Sequence, residues 1–138
     1  MMAETVLVVE DDPANAVLIE TILTSLGGFA VVATDDGDEV VRLASDGGLT
    51  AVVMDVSLAD TRVGGERVDG VELTRRLRGI PGCRNLPVVL LTAHAMRGDR
   101  EQLLFSSGAN DYIAKPITDQ RGFIERLRRH IASSGTLQ

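Results

Sequence analysis

The 138-residue sequence is poor in several residue types, and each shortage argues against a class of protein. Its single cysteine, Cys83, cannot form an internal disulfide, which favours a reducing compartment such as the cytoplasm. No apolar run is long enough to cross a bilayer. The first four residues are acidic rather than basic, which is unlike a signal peptide. We therefore expect a cytoplasmic protein without a leader or a membrane anchor.

Positive charge is also scarce, and it is carried almost entirely by arginine. The chain has 14 lysines and arginines against 20 acidic residues, for a formal net charge of -6. Without a basic excess to neutralise phosphates, nucleic acid is not expected as a direct partner. Lys115 is the only lysine among the basic residues. Because every other basic residue is an arginine, the compact ammonium of Lys115 suggests a specific role for this position.

What the chain does have is the composition of one soluble globular domain. Hydrophobic residues make up 44% and charged residues 25% of the sequence. The length is enough to bury a substantial core. We expect a single domain with its core between about residues 5 and 132 and a flexible tail at 133–138. A monomer or a weak dimer is expected.

Five short apolar segments alternate with helical patterns along the chain. Strands are predicted at 5–9, 29–33, 51–55, 86–91 and 111–114. Helices are predicted from Pro13, over 37–46, from Gly70, over 96–107 and around 123–131. This alternation predicts a doubly wound α/β fold with helices on both faces of a parallel sheet. The flavodoxin-like strand order 2-1-3-4-5 follows most naturally, with ligands at the carboxyl ends of the strands.

The predicted central strand ends in a carboxylate, Asp55. A buried charge at this point is costly without a cation, hydrogen bonds or chemistry to offset it. For a lone aspartate, a cap in the following loop would be the commoner explanation. Other polar side chains follow the other strands: Glu10 and Asp11 after the first, Thr92 after the fourth and Lys115 after the fifth. In the predicted sheet they converge on one edge.

Three carboxylates at one edge repel each other and therefore need a cation. Oxygen ligands without histidine or cysteine suit Mg²⁺, which keeps open positions for phosphate oxygens. Lys115 and Thr92 could hold the remaining oxygens, as phosphoryl transfer onto a carboxylate requires. Each element alone also fits a helix start, a strand end or a solvated surface. The joint pattern is more specific, and Cys83 and His94 are left as structural or solvated.

Four short motifs carry a resemblance to a known family. They are Val-Val-Glu-Asp-Asp at 8–12, Val-Met-Asp at 53–55, Leu-Thr-Ala at 91–93 and Tyr-Ile-Ala-Lys-Pro at 112–116. In this order and on these elements, they resemble the receiver domain of bacterial response regulators. The resemblance covers the chain from about residue 5 to 132. It implies a stand-alone, single-domain receiver of a two-component or phosphorelay system.

The resemblance also implies roles at the carboxylate edge. Asp55 would accept a phosphoryl group from the phosphohistidine of a sensor histidine kinase or a histidine phosphotransfer protein. Glu10 (through water), Asp11, Asp55 and the backbone carbonyl of Ser57 would hold Mg²⁺. Beyond its own phosphorylation and dephosphorylation, such a domain is not an enzyme. Its effect would pass to an unidentified downstream protein or onward by phosphotransfer.

A second set of implied roles concerns the change that follows phosphorylation. Thr92 and Lys115 would contact the phosphoryl oxygens, and Thr92 with Tyr112 would form the switch. The peptide bond between Lys115 and Pro116 would be cis, which turns Lys115 inward.

The chain departs from the family pattern after Asp55. It has Ala59 where receivers usually have proline, and the glycine that opens the third helix, Gly70, comes about seven residues late. We interpret Ala59 to Asp69 as an enlarged loop that is mobile and helps to choose the partner. Its Gly64-Gly65 pair and alternating charges offer little to bury.

Other functions remain open at this point. The same receiver could belong to a hybrid kinase. A phosphatase of the haloacid-dehalogenase type also forms an aspartyl phosphate, but it needs an aspartate two residues on, where Ser57 stands. A flavodoxin-like cofactor binder is disfavoured because the chain has only four Phe and Tyr residues. The carboxylate edge would also repel a flavin phosphate.

Overall fold

A computed structural model describes residues 4–93 and 99–135 of the chain. The strands in these ranges are β1 (Thr5–Val9), β2 (Ala30–Thr34), β3 (Ala51–Asp55), β4 (Arg62–Val63), β5 (Glu66–Arg67), β6 (Val88–Thr92) and β7 (Asp111–Ala114). The helices there are α1 (Pro13–Ser25), α2 (Gly37–Asp46), α3 (Gly70–Arg78), α4 (Asp99–Ser107) and α5 (Gln120–Gly135). His94 and the predicted start of the helix at residue 96 lie outside the described residues.

The main sheet has five parallel strands in the order β2-β1-β3-β6-β7. This confirms the predicted flavodoxin-like order, since β6 and β7 are the fourth and fifth strands of the main sheet. The central strand β3 is buried along its whole length, as is β6 beside it. The sheet therefore brings the carboxyl ends of β1, β3, β6 and β7 to one edge.

Successive residues of each strand point to opposite faces, so the sheet separates two hydrophobic cores. On one face, Val8 and Val53 pack with α1 and α5, represented by Leu23 and Leu127. The core of the other face joins Leu7, Val9, Val52 and Met54 with residues of α2 and α3, which are Val40, Leu73 and Leu77. Each strand end is thus fixed from both sides of the sheet.

Three aspartates cap the helices that start near the site. The side chain of Asp12 accepts a hydrogen bond from the Ala14 amide at 3.0 Å, and Pro13 follows it in the first helical turn. Asp36 and Asp69 accept equivalent bonds at the starts of α2 and α3. The predicted cap at Asp12 and the bounds of α2 are confirmed.

Some predicted boundaries are wrong. β2 begins at Ala30 because Phe29 turns into the core instead of pairing in the sheet. β6 spans Val88–Thr92, two residues later at its start than predicted. α5 continues to Gly135, four residues past the last apolar position that predicted it, and the flexibility of the tail stays a prediction. Residues 136–138 lie outside the described part of the chain.

The segment 59–69, interpreted from the sequence as a mobile loop with little to bury, contains an antiparallel hairpin of β4 and β5. Gly64 and Gly65, at φ of 59° and 83°, make the tight turn between the two strands. Leu58, Thr61 and Val68 are buried beneath it. The expectation of little burial was wrong because the alternating charges lie on the exposed side of the hairpin. The mobility of 59–69 and its part in partner choice stay predictions.

Two contacts hold the hairpin against the start of α2. The hydroxyl of Thr61 donates to the Asp35 carbonyl at 2.9 Å, and the Gly64 amide donates to the Asp38 carboxylate at 2.8 Å. Gly37 permits this close approach, since a Cβ there would lie 2.4 Å from the carbonyl oxygen of Arg62. The hairpin is therefore packed on the neighbouring helix.

After the hairpin, the chain returns directly to the end of β3. The Gly70 amide donates to the Val56 carbonyl at 3.1 Å. A Cβ at Gly70 would lie 2.1 Å from the backbone oxygen of Asp55, so only glycine fits without a backbone shift. The late glycine of the sequence thus opens α3 against Asp55 itself.

Candidate functional site

The carboxyl ends of β1 and β3 bring three carboxylates together. Glu10, Asp11 and Asp55 each offer an oxygen, and these atoms lie within 4.8 Å of one another. Glu10 and Asp55 are buried, with 6% and 2% of their surface exposed, whereas Asp11 is half-buried. We refer to these three residues as the carboxylate cluster. Their convergence is the one expected from the sequence.

The lone lysine reaches into this cluster from the end of β7. Its Nζ lies 2.9 Å from Oδ1 of Asp55 and 3.4 Å from Oε1 of Glu10. The Lys115 amide donates to the Thr92 carbonyl at 2.8 Å, and the bond to Pro116 is cis. These contacts join β7 to the ends of β1, β3 and β6.

The electrostatics of the cluster favour a further cation. Burial, the hydrogen bond to Asp55 and the charge of Asp55 raise the pKa of Glu10 to about 7. Burial opposes the charge on Lys115, but its hydrogen bond to Asp55 and the two carboxylates raise its pKa overall. With all groups ionised, one ammonium leaves two negative charges uncompensated. An all-oxygen donor set of this charge fits Mg²⁺.

Backbone amides of the loop after β3 orient two of the carboxylates. The Ser57 amide donates to Oδ1 of Asp55 at 3.1 Å, and the Ala59 amide donates to Oδ2 of Asp11 at 2.8 Å. A proline at position 59 has no N–H and could not make the second bond. In the sequence, Ala59 is visible only as a departure from the family pattern, and its contact with Asp11 was not predicted.

Thr92 and Tyr112 lie on adjacent strands and on the same face of the sheet. Thr92, at the end of β6, is buried, with 2% of its surface exposed. Tyr112 pairs in register with Leu90, two residues before Thr92, and residues two apart share a face. The guanidinium carbon of Arg100 on α4 lies 5.5 Å from the centre of the Tyr112 ring. Arg100 was not singled out from the sequence.

An open apolar cavity of about 330 Å³ adjoins the site between α1 and the segment after β7. Leu18, Ile19, Leu91, Pro116 and Ile117 line it together with the polar residues Asn15 and Lys115 and with Ala93. Helical spacing did not separate the buried face of α1 from the exposed one. Ile19 is buried, but Val17 is 63% and Leu18 43% exposed.

A family model described as the response regulator receiver domain matches residues 6–128. The chain belongs to the response regulator receiver family. The receiver is 31% identical to the polar-differentiation response regulator DivK of Brucella ovis over 133 residues, which cover 96% of this chain and all of DivK. It is 35% identical to the signal transduction histidine-protein kinase BarA of Shigella flexneri over 120 residues, which cover 87% of this chain. It spans only 12% of the length of that kinase.

Solved structures agree with the family and the fold. The receiver domain of a sensor histidine kinase from Pseudomonas aeruginosa superposes with a TM-score of 0.79 at 34% identity. The match covers 95% of this chain and 99% of that one. That structure holds a magnesium ion in its active-site cleft. Among the described residues of this receiver, no helix has the length and apolarity needed to span a membrane.

Proposed function

We propose that this receiver accepts a phosphoryl group on Asp55 from a phosphohistidine of a sensor histidine kinase or a histidine phosphotransfer protein. The observation that carries the proposal is the 2.9 Å contact between Lys115 Nζ and the buried Asp55 carboxylate, inside a cluster with two further carboxylates. A buried carboxylate held this way is positioned for a reaction at its oxygen. Membership of the receiver family supports the same assignment.

The phosphoryl transfer needs no reagent other than the phosphohistidine and Asp55. An oxygen of Asp55 attacks the phosphorus, the bond from phosphorus to the donor imidazole nitrogen breaks, and the imidazole leaves with the electron pair of that bond. The product is an acyl phosphate on Asp55. Lys115 and the Thr92 hydroxyl would stabilise the phosphoryl oxygens by charge and by hydrogen bonding. Because the acceptor is consumed, the chain would catalyse only its own phosphorylation and dephosphorylation.

The residues that would hold Mg²⁺ are Asp11 and Asp55 directly, Glu10 through water, and Ser57 through its backbone carbonyl. The ion would neutralise part of the negative charge of the phosphoryl group. The chain supplies the orientation: the amides of Ser57 and Ala59 fix the Asp55 and Asp11 carboxylates. The uncompensated negative charge of the cluster is the support for this part of the proposal.

The donor protein would dock over the apolar cavity beside Lys115. Val17 and Leu18 of α1 are exposed apolar side chains at that edge, and Pro116 and Ile117 continue the surface across the site. An apolar helix face of the donor would cover this groove and bring its phosphohistidine to Asp55. The contact changes that follow phosphorylation would then centre on Thr92 and Tyr112, which share one sheet face.

Two contexts fit the chemistry. The match over the full length of DivK favours a receiver that acts alone. The match to a small part of a BarA kinase favours the same chemistry within a hybrid kinase. In either context the domain would pass its signal through altered partner binding or by onward phosphotransfer. The exclusion of nucleic acid, and the monomer or weak dimer, stay predictions.

Phosphorylation by acetyl phosphate in the presence of Mg²⁺ tests the acceptor. We expect intact-protein mass spectrometry to show one phosphoryl adduct per chain and Asp55→Asn to abolish it. Asp12→Asn is the matched control, because it removes a nearby carboxylate but keeps a good helix cap. An undiminished adduct in Asp55→Asn would refute the assignment.

A further inference from the structure

A second group of charged residues lies away from the carboxylate cluster, on the surface formed by α4, β7 and α5. At its centre is Asp111, with 5% of its side chain exposed. Arg126 binds it through both Nε at 3.0 Å and Nη2 at 2.6 Å. Nη2 of Arg100 lies 3.2 Å from Asp111 Oδ1, and Nε2 of His130 lies 3.1 Å from Oδ2.

These residues border an open cavity of about 380 Å³. Its lining consists of Arg100, Asp111, Arg126, Arg129, His130 and Ser133. The α5 members stand at positions 126, 129, 130 and 133, the spacing that puts side chains on one face of a helix. We call the three arginines of this lining the arginine cluster.

Charge in the cavity is unbalanced towards the positive. Asp111 is the sole carboxylate among the described residues that line it, against three guanidinium groups. With a neutral His130, the lining therefore carries two uncompensated positive charges, in a chain whose net charge is -6. Arg129 forms no ion pair with any described residue, although acidic side chains are abundant in the sequence.

Asp111 has too few acceptor positions to bind all the N–H donors of the three arginines. Its two oxygens already accept the fork of Arg126, a bond from Arg100, the His130 contact and the Tyr112 amide. The guanidinium groups have five N–H donors each and retain further donors towards the cavity. Planar guanidinium groups bind phosphate oxygens in pairs, which makes phosphate a close chemical match.

We propose that this cavity is a binding site for a phosphate group, either free phosphate or the phosphate of a small ester. Arg129 and the outward N–H groups of Arg100 bind the phosphate oxygens, while Asp111 holds Arg126 in place behind them. A dianionic phosphate balances the two excess positive charges. The cavity volume lies in the range of small-molecule sites, which leaves room for the organic part of an ester.

The site is independent of the phosphoacceptor chemistry proposed above. The test is therefore made without Mg²⁺, on the full chain and on Asp55→Asn. Inorganic phosphate and glycerol 3-phosphate are titrated separately and followed by NMR of the arginine Nε–H groups and the His130 ring. We expect saturable shifts at Arg126, Arg129 and His130 with both probes, and the same affinity in Asp55→Asn.

Two arginine variants of α5 make a matched pair. Arg129→Gln should weaken phosphate binding by about tenfold or more, equivalent to about 1.4 kcal/mol. Arg121→Gln removes the same charge from the same helix outside the cavity and should change the affinity less than about twofold. Thermal unfolding of both variants checks that the fold is retained.

The proposal fails if neither probe gives saturable shifts, or if the two variants lose affinity equally. Equal losses would mean that phosphate senses the general charge of α5 and not a built cavity. Loss of binding in Asp55→Asn alone would place the phosphate at the carboxylate cluster and would also overturn the proposal. Failure here leaves the phosphorylation of Asp55 untouched.

Discussion

The two charged regions of this receiver are opposites in composition and in construction. At the carboxylate cluster, three carboxylates share one ammonium, Lys115. At the arginine cluster, three guanidinium groups line a cavity with one carboxylate, Asp111, which pairs with Arg100 and Arg126. One region is deficient in positive charge and the other in negative charge, each by two when all the acids are ionised and His130 is neutral.

The difference in cation type matches the difference in task. Lys115 is a point charge on a flexible stem, which could follow an acceptor whose charge and shape would change on the proposed phosphorylation. Arg126 is a rigid fork that holds both oxygens of Asp111 and also donates to the Tyr112 carbonyl at 3.0 Å. The carboxylate cluster is thus suited to change, and the arginine cluster to a fixed arrangement.

The largest effect is expected when the carboxylate cluster loses one of its carboxylates. Asp11→Asn removes one of the three carboxylates and should weaken Mg²⁺ binding by about a hundredfold or more, because the loss of an indirect partner of a metal ligand already costs about 10- to 100-fold. Isothermal titration calorimetry with Mg²⁺ measures it. Arg129→Gln, in the opposite cluster, is the control and should bind Mg²⁺ as the natural chain does. Equal affinities in Asp11→Asn and the natural chain would place the ion elsewhere.

Breaking the second region should cost stability. Asp111→Asn removes the carboxylate that Arg100, Arg126 and His130 all contact, and we expect a loss of about 2–3 kcal/mol in the free energy of unfolding. That is below the cost of a fully buried pair, because Arg100 and Arg126 are partly exposed. Urea unfolding at pH 7 measures it. A loss as small as that of a surface substitution would show that the cluster contributes little to the fold.

The same substitution has a defined pH dependence. Burial alone would raise the pKa of Asp111, but hydrogen bonds from Arg126, His130 and the Tyr112 amide lower it overall. A carboxyl with a lowered pKa stabilises the fold above its unfolded pKa of about 4, and this contribution is lost as the pH falls through the folded value. The deficit of Asp111→Asn should therefore be full at pH 6 and shrink below about pH 4. A deficit that is constant down to acid unfolding would contradict an ionic origin.

Exchanging the cation type sharpens the comparison at the site. Lys115→Arg should keep the fold and accept phosphate, because the charge is retained. The broad guanidinium should crowd the Thr92 hydroxyl, so the response of Thr92 and Tyr112 should fall to roughly half or less. NMR shifts of both residues with and without beryllofluoride measure the coupling. Shifts as large as in the natural chain would mean that charge alone matters at this position.

The reciprocal exchange should have a smaller effect. Arg126→Lys keeps the charge beside Asp111 but cannot hold both of its oxygens and the Tyr112 carbonyl together. We expect a loss of about 1 kcal/mol in the free energy of unfolding, the scale of a charge-assisted hydrogen bond. Arg121→Lys on the exposed side of the same helix is the control. Equal stability of the two variants would show that the fork geometry is unimportant.

The smallest effect concerns the hairpin of β4 and β5, which borders the carboxylate cluster. The Val68 amide donates to the Thr61 carbonyl at 2.9 Å and is buried, so its hydrogen exchange should be slowed. Gly65, at the exposed turn, should exchange freely. Asp38→Ala removes the acceptor of the Gly64 amide and should speed exchange there but not at Val68. Unprotected exchange at Val68 would restore the mobile-loop interpretation.

The sequence predicted the main sheet and the convergence of the carboxylate cluster well. β1, β3 and β7 have the predicted bounds, because each is a short apolar run with a sharp polar end. The polar residues after those strands then meet by topology alone, since parallel strands end at one edge. Boundaries failed where apolar residues such as Phe29 join the core outside the sheet.

The hairpin and the arginine cluster were missed for a different reason. The hairpin had a usable signal in Gly64-Gly65, but its burial depends on Asp35 and Asp38 of a distant segment. The spacing of Arg126, Arg129 and His130 also shows one helix face, yet nothing in α5 indicates that Asp111 lies beneath it. Such pairs form between residues far apart in the chain, where local pattern carries no information.

By itself, the sequence determined the strand order, the helix caps and the residues that stand at the strand ends. These follow from the local periodicity of apolar residues, from the glycines and prolines that start and end the elements, and from the geometry of parallel crossovers. Only the tertiary structure decided that Ala59 orients Asp11 across 48 residues, and that Arg100 and Arg126 both pair with Asp111. Those contacts depend on distances of a few ångströms between side chains and backbone of separate elements, which packing sets and no linear pattern encodes.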